Sequence, residues 1–133
     1  KIAVALEFGE HDNKLLAAAL GQANKETSFV LVHVVESASA KILGNESDDL
    51  ETRKDYEQLR FYKEQLLLKG FESEARLGFR NRAKAIVSIV KESGADMLVI
   101  GAHGHSGIKD WIYGETINTV RHELKIPVFI VNL

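Results

Sequence analysis

The chain predicts a doubly wound α/β fold, a parallel sheet with helices on both faces, and three observations carry that prediction. Five short apolar runs alternate with four segments of helical period. Four of the five runs are dense in branched residues, as strands buried on both faces are. A glycine-bearing loop follows the fourth run, at the carboxyl end of a strand, where open sheets of this class take their ligands.

Each element has its own signal. Residues 2–6 are an unbroken apolar strand, and residues 12–24 place Leu16, Ala19, Leu20 and Ala23 on one helical face. The second strand, residues 29–35, holds His33, whose side chain is expected to point into packing. Residues 36–47 are long for a strand-to-helix loop and offer a place for a lid or a partner contact. The second helix, residues 48–69, spaces Tyr56, Leu59, Tyr62 and Leu66 at helical intervals and closes at Gly70. Residues 71–77 alternate and are polar, which suits a strand at a sheet edge. Asn81 is a natural N-cap for a third helix that aligns Ala83, Ile86, Val87 and Val90 and stops at Gly94. After the fourth strand, residues 97–100, a fourth helix is expected to begin near Gly114 and bury Ile117, Val120 and Leu124. Pro127 then forces an extended entry into the last strand, residues 128–131.

At 133 residues the length suits one domain, residues 1–133, with no linker or internal repeat. Aliphatic and aromatic residues make up 45% and charged residues 27%, an ordinary globular balance. Seventeen basic against 19 acidic residues give a net charge of -2, which favours neither nucleic acid nor an anionic membrane surface. The absence of cysteine excludes disulfides and cysteine-ligated zinc and permits a reducing compartment. No apolar run approaches the length of a membrane span, and no secretory signal is visible. The chain starts at Lys1 directly beside the first apolar run, which reads as an excised piece, either trimmed or one domain of a longer protein.

The glycine loop is the richest motif. Gly101, Gly104 and Gly114 follow the spacing Gly-x2-Gly-x9-Gly between a strand and a helix. Glycines let backbone approach an anion, and helix N-terminal N–H groups add the positive end of a dipole, so the pattern fits a phosphate cradle. His105, Ser106 and Lys109 are further donors in that segment. Other constellations are weaker. His103 and His105 flank Gly104 but fall short of a tetrahedral metal set, so no metal ligands are assigned. Arg80, Asn81 and Arg82 read as a solvated helix start or an anion patch. No Walker A lysine, Ser-His-Asp set or carboxylate pair is recognisable, and no catalytic residues are assigned.

The glycine spacing and the tail through residues 120–131, with its Arg121-His122 pair and Pro127-Val128 strand entry, resemble the universal stress protein family. That resemblance covers the whole chain in element order. It implies an adenine nucleotide alpha hydrolase-like fold of strand order 3-2-1-4-5, with ligands at the reversal between the first and fourth strands. By the same resemblance, backbone at Gly101, Gly104 and Gly114 would face nucleotide phosphates and backbone at Val34 and Val35 would meet the adenine; Ser106, and Thr116 one residue past Glu115, are nearby hydroxyls that could donate as well. Glu7 stands where nucleotide-binding relatives carry the Asp that reads adenosine, and Glu115 where ATP-binding relatives carry Ser or Thr. A carboxylate about 4 Å from phosphate repels it by roughly 4 kcal/mol at an effective dielectric near 20, which a magnesium ion would relieve. Alternatively, Glu115 occupies a first helical turn, where acidic residues are favourable.

The family further implies a non-catalytic, cytoplasmic stress-response or sensing module that binds ATP or another adenine nucleotide. It also implies a homodimer closed through the last strand. An alternative is the cytosolic regulatory tail of a manganese or iron transporter of the Nramp type, which residues 34–40, 49–53 and 114–122 resemble and which would bring the domain to a membrane.

Overall fold

In the computed structural model, residues 1–35, 45–103 and 108–133 are described. Five strands, β1 (Ile2–Leu6), β2 (Phe29–Val35), β3 (Ser73–Phe79), β4 (Met97–Ala102) and β5 (Val128–Asn132), form one sheet. Among the described residues, four helices connect them in alternation: α1 (Asp12–Gly21), α2 (Asn45–Leu68), α3 (Arg82–Ser93) and α4 (Ile108–Glu123). The order is β3-β2-β1-β4-β5, with every pairing parallel. The expected fold class and strand order are therefore observed.

Side-chain alternation across the sheet divides the interior in two. Ala3 and Ala5 of β1 join Val30, Val32, Ile86, Val90, Leu98 and Val120 under α3 and α4. Ile2, Val4 and Leu6 turn the other way and join Leu15, Leu31, Leu59 and Leu66 under α1 and α2. All five residues of β1 are buried, as a central strand covered on both faces requires. Fully burying one such aliphatic side chain contributes about 1.5–3 kcal/mol.

Local signals explain the element ends. Asn81 caps α3: its side-chain oxygen accepts from the Lys84 N–H at 3.0 Å. Gly94 closes the same helix with a φ of 69°, its N–H reaching the carbonyls of Val90 and Lys91. β3 lies two residues later than its expected range and is at the sheet edge, mostly half-buried. The largest difference is α4, which starts at Ile108 rather than near Gly114. Gly114 and Glu115 therefore lie beyond the first helical turn. The backbone N–H of Gly114 belongs to the intrahelical ladder rather than to the unpaired N-terminal set, and the first-turn benefit suggested for Glu115 does not apply. Residues 36–44, most of the long loop, lie outside the described residues, and 45–47 open α2. Among the described residues no helix is long and apolar enough to cross a membrane.

Candidate functional site

β1 pairs with β2 on one side and β4 on the other, and this is where the winding reverses. α1 leaves β1 toward one face while α4 follows β4 toward the other, so a crevice opens beyond the carboxyl ends of these two strands. Glu7 is the first residue past β1, at the mouth of that crevice.

The Glu7 side chain is only 11% exposed, and so is not a solvated strand-end carboxylate. Its oxygens lie 2.9 and 3.1 Å from Nε2 of His103, the residue that follows β4. Because a carboxylate accepts, Nε2 of His103 carries the proton and donates. Arg82, at the start of α3, donates from its guanidinium to the same carboxylate at 3.3 Å. These donors offset the cost of withdrawing the charge from water. The His11 ring meets that of His103 edge-on, with centroids 5.6 Å apart.

The loop beneath Glu7 is fixed from within. Asp12, 1% exposed, accepts the Glu7 N–H at 2.9 Å through Oδ1. Its Oδ2 accepts the Tyr62 hydroxyl at 2.9 Å. Phe8 sits in the left-handed region with φ 58°, and its ring stacks on His33 with centroids 3.6 Å apart and planes 16° apart. Non-glycine residues rarely adopt that backbone, which costs on the order of 1–3 kcal/mol and persists only where surrounding contacts hold it. His33 donates from Nδ1 to the Leu6 carbonyl at 3.0 Å. Burial holds its pKa below the ordinary imidazole value, so the ring is neutral near pH 7.

The remaining candidates are spread around this centre. Val34 is buried in β2 opposite Gly78 of β3. At Gly101 the absence of a side chain has a packing reason, since a Cβ there would lie 2.4 Å from Cδ1 of Leu133. Thr116 is buried and Glu115 exposed on α4. Gly104, His105 and Ser106 lie outside the described residues. Beside the crevice, between the start of α3 and the flank of α4, is a cleft of about 710 Å³. Arg80, Arg82 and Lys84 line one wall; Glu115, Thr116 and Thr119 line the other.

A nucleotide requires acceptors for sugar hydroxyls and cations for phosphate. Glu7 offers the first and the α3 wall the second, so these residues fit such a ligand. Among the described residues no cluster of three or more His, Asp or Glu side chains could hold a metal ion.

The sequence pointed to Glu7, and to His103 and Arg82 in other roles, but not to their meeting. Asp12 gave no signal, because its ties to Glu7 and Tyr62 are tertiary, the latter across 50 residues. Arg82 and His103 are brought to Glu7 across 75 and 96 residues by the sheet order.

Three known proteins set this geometry in context. Universal stress protein Slr1230 of Synechocystis is 38% identical over 59 residues, which are 44% of this chain and 21% of that protein. The matched segment thus spans about a fifth of that relative's length. Hypothetical protein MJ0577 superposes with a TM-score of 0.82 at 22% identity, covering 100% of this chain and 96% of that one. The universal stress protein from Archaeoglobus fulgidus, solved in complex with dAMP, superposes with a TM-score of 0.67 at 22% identity, covering 98% and 95%. The family model of the universal stress proteins matches residues 1–132, and by that match the chain belongs to the universal stress protein family.

Proposed function

We propose that this domain is a regulatory module that binds an adenine nucleotide at the carboxyl end of its sheet, and that it signals by that binding rather than by turning over a substrate. The observation that carries the reading is the Glu7 carboxylate, held largely out of water at the winding reversal between His103 and Arg82. A sugar diol entering there would exchange hydrogen bonds with His103 and leave the Arg82 contact to hold the charge. The Archaeoglobus relative with dAMP supports an adenine nucleotide as the class. In this reading Gly101 and Thr116 lie toward the phosphates and Val34 toward the base; Gly114, whose N–H belongs to the α4 ladder, would contribute only its missing side chain, and Gly104 and Ser106, outside the described residues, enter through the family resemblance alone. Glu115 opposes phosphate from α4, and magnesium bound with the phosphates would weaken that repulsion.

The same reading makes the domain a cytoplasmic homodimer closed through β5, whose outer edge carries Phe129 and Ile130. Its output would be a population shift, limited by the ligand's differential affinity for two arrangements of the loops or dimer.

Mass spectrometry of ligand released from the purified domain, followed by titration with ATP, ADP and AMP, tests the reading. A bound or titratable adenine nucleotide, weakened in Glu7→Gln and strengthened in Glu115→Ser, is the expected result. Sustained ATP hydrolysis that is lost in Glu7→Gln would reclassify the domain as an enzyme.

A further inference from the structure

The cleft between α3 and α4 has two unlike walls. On one, Arg80 and Lys84 have no ion-pair partner among the described residues, whereas Arg82 is already engaged with Glu7. On the other, Glu115 stands with the hydroxyls of Thr116 and Thr119. A phosphate placed against the Glu115 wall meets a like charge; one placed across the cleft meets two cations.

Arg80 is held toward this position at a backbone cost. Its φ is 75°, a region that favours glycine, and its N–H is tied to the Val35 carbonyl at 3.0 Å. Arg82 belongs both to the cleft lining and to the Glu7 cluster, so the cleft and the crevice adjoin through one side chain. At about 710 Å³ the cleft is within the range that small-molecule ligands fill.

We propose that the cleft is a phosphate subsite: a nucleotide seated at Glu7 extends its distal phosphates between α3 and α4, onto Arg80 and Lys84, with Glu115 on the opposite wall setting the direction. This rests on the nucleotide reading above and adds to it a preference for ligands with more than one phosphate. Arginine and lysine side chains reaching phosphate make charge-assisted hydrogen bonds, and the loss of one weakens binding by about tenfold.

The test is a calorimetric titration of the whole domain with adenosine, AMP and ATP, for the parent and for Arg80→Gln, Lys84→Gln and the double variant. Glutamine removes the charge while keeping a polar side chain that can hydrogen-bond, though a shorter one, and thermal melts confirm that each variant is folded. The expected result is that affinity in the parent rises from adenosine to ATP. Each variant then loses about tenfold toward ATP while its adenosine affinity stays unchanged. Should the parent bind nucleotide and the variants bind ATP equally well, or lose adenosine and ATP alike, the subsite is refuted and the nucleotide reading stands. A parent that binds none of the three ligands refutes both.

Discussion

Tyr62 on α2 donates its hydroxyl to Oδ2 of Asp12 at 2.9 Å, while Oδ1 of the same carboxylate accepts the N–H of Glu7. One buried acid thereby ties the second helix to the loop that presents the candidate binding residue. Removing it in Asp12→Ala strands the Glu7 amide and weakens the anchorage of Tyr62, and is expected to cost about 2–4 kcal/mol in urea unfolding. Tyr62→Phe removes only one hydrogen bond to a charged group and should cost about 1–2 kcal/mol. Equal stability of the Asp12→Ala variant and the parent would remove Asp12 from the role of anchor.

The same pair has an alkaline signature. Burial, and then the bond to Asp12, push the Tyr62 phenol above its ordinary pKa. The folded state therefore holds this proton more tightly than the unfolded state. Its contribution is fully present below the unfolded value of about 10 and is lost as pH rises through the folded one. Urea midpoints measured between pH 9 and 11 should fall in the parent and fall less in Tyr62→Phe.

His33 works at the other end of the scale. Its pKa lies below the ordinary value because burial disfavours the charged ring. Stability from the neutral ring is present above an unfolded value of about 6.5 and is lost as pH falls through the lower folded value. Chemical denaturation at pH 7, 6 and 5 should show that loss, and His33→Gln, which keeps a donor for the Leu6 carbonyl, should reduce it.

Two glycines make a contrast that steric geometry alone decides. A Cβ on Gly78 would lie 2.7 Å from the Cβ of Ala85, 3.3 Å from Val34 and 3.3 Å from Ile89, in a place where little can yield. On Gly101 the close neighbour is the far end of the Leu133 side chain, which can rotate away. Gly78→Ala should therefore destabilise by roughly 1–3 kcal/mol and Gly101→Ala by less. Thermal unfolding of the two variants in one buffer checks the order, and the reverse ranking would count against it.

β5 is an edge strand with Phe129 37% and Ile130 38% exposed. Light scattering coupled to size exclusion should show a dimer for the parent and a monomer for Phe129→Lys or Ile130→Lys. A parent that is monomeric at micromolar concentration would sink the dimer.

Much of the fold was legible because periodicity and punctuation act locally. The alternation of apolar runs with helical segments set the class, and Asn81 and Gly94 marked both ends of α3 by their own chemistry. α4 was harder to read, because glycine is a poor helix residue and suggested a boundary at Gly114, whereas the helix starts at Ile108 and runs through it. At the site, Glu7 could be picked out by position. Its surroundings could not: His103, Arg82 and Asp12 meet it through strand order and loop geometry, and no local pattern in the chain encodes those distances.

The sheet that separates the two apolar clusters also separates their energetics. Asp12 and Tyr62 belong to the α1/α2 side, while Arg80, Lys84 and Glu115 belong to the α3/α4 side, with a layer of paired backbone between. Changes confined to opposite sides share few partners, so their free energies should sum, as they do for distant sites. Such a layout works as a thermodynamic partition. One face can vary its charges to suit a ligand while the other keeps the scaffold folded, and the short segment at Glu7, in contact with both, couples them.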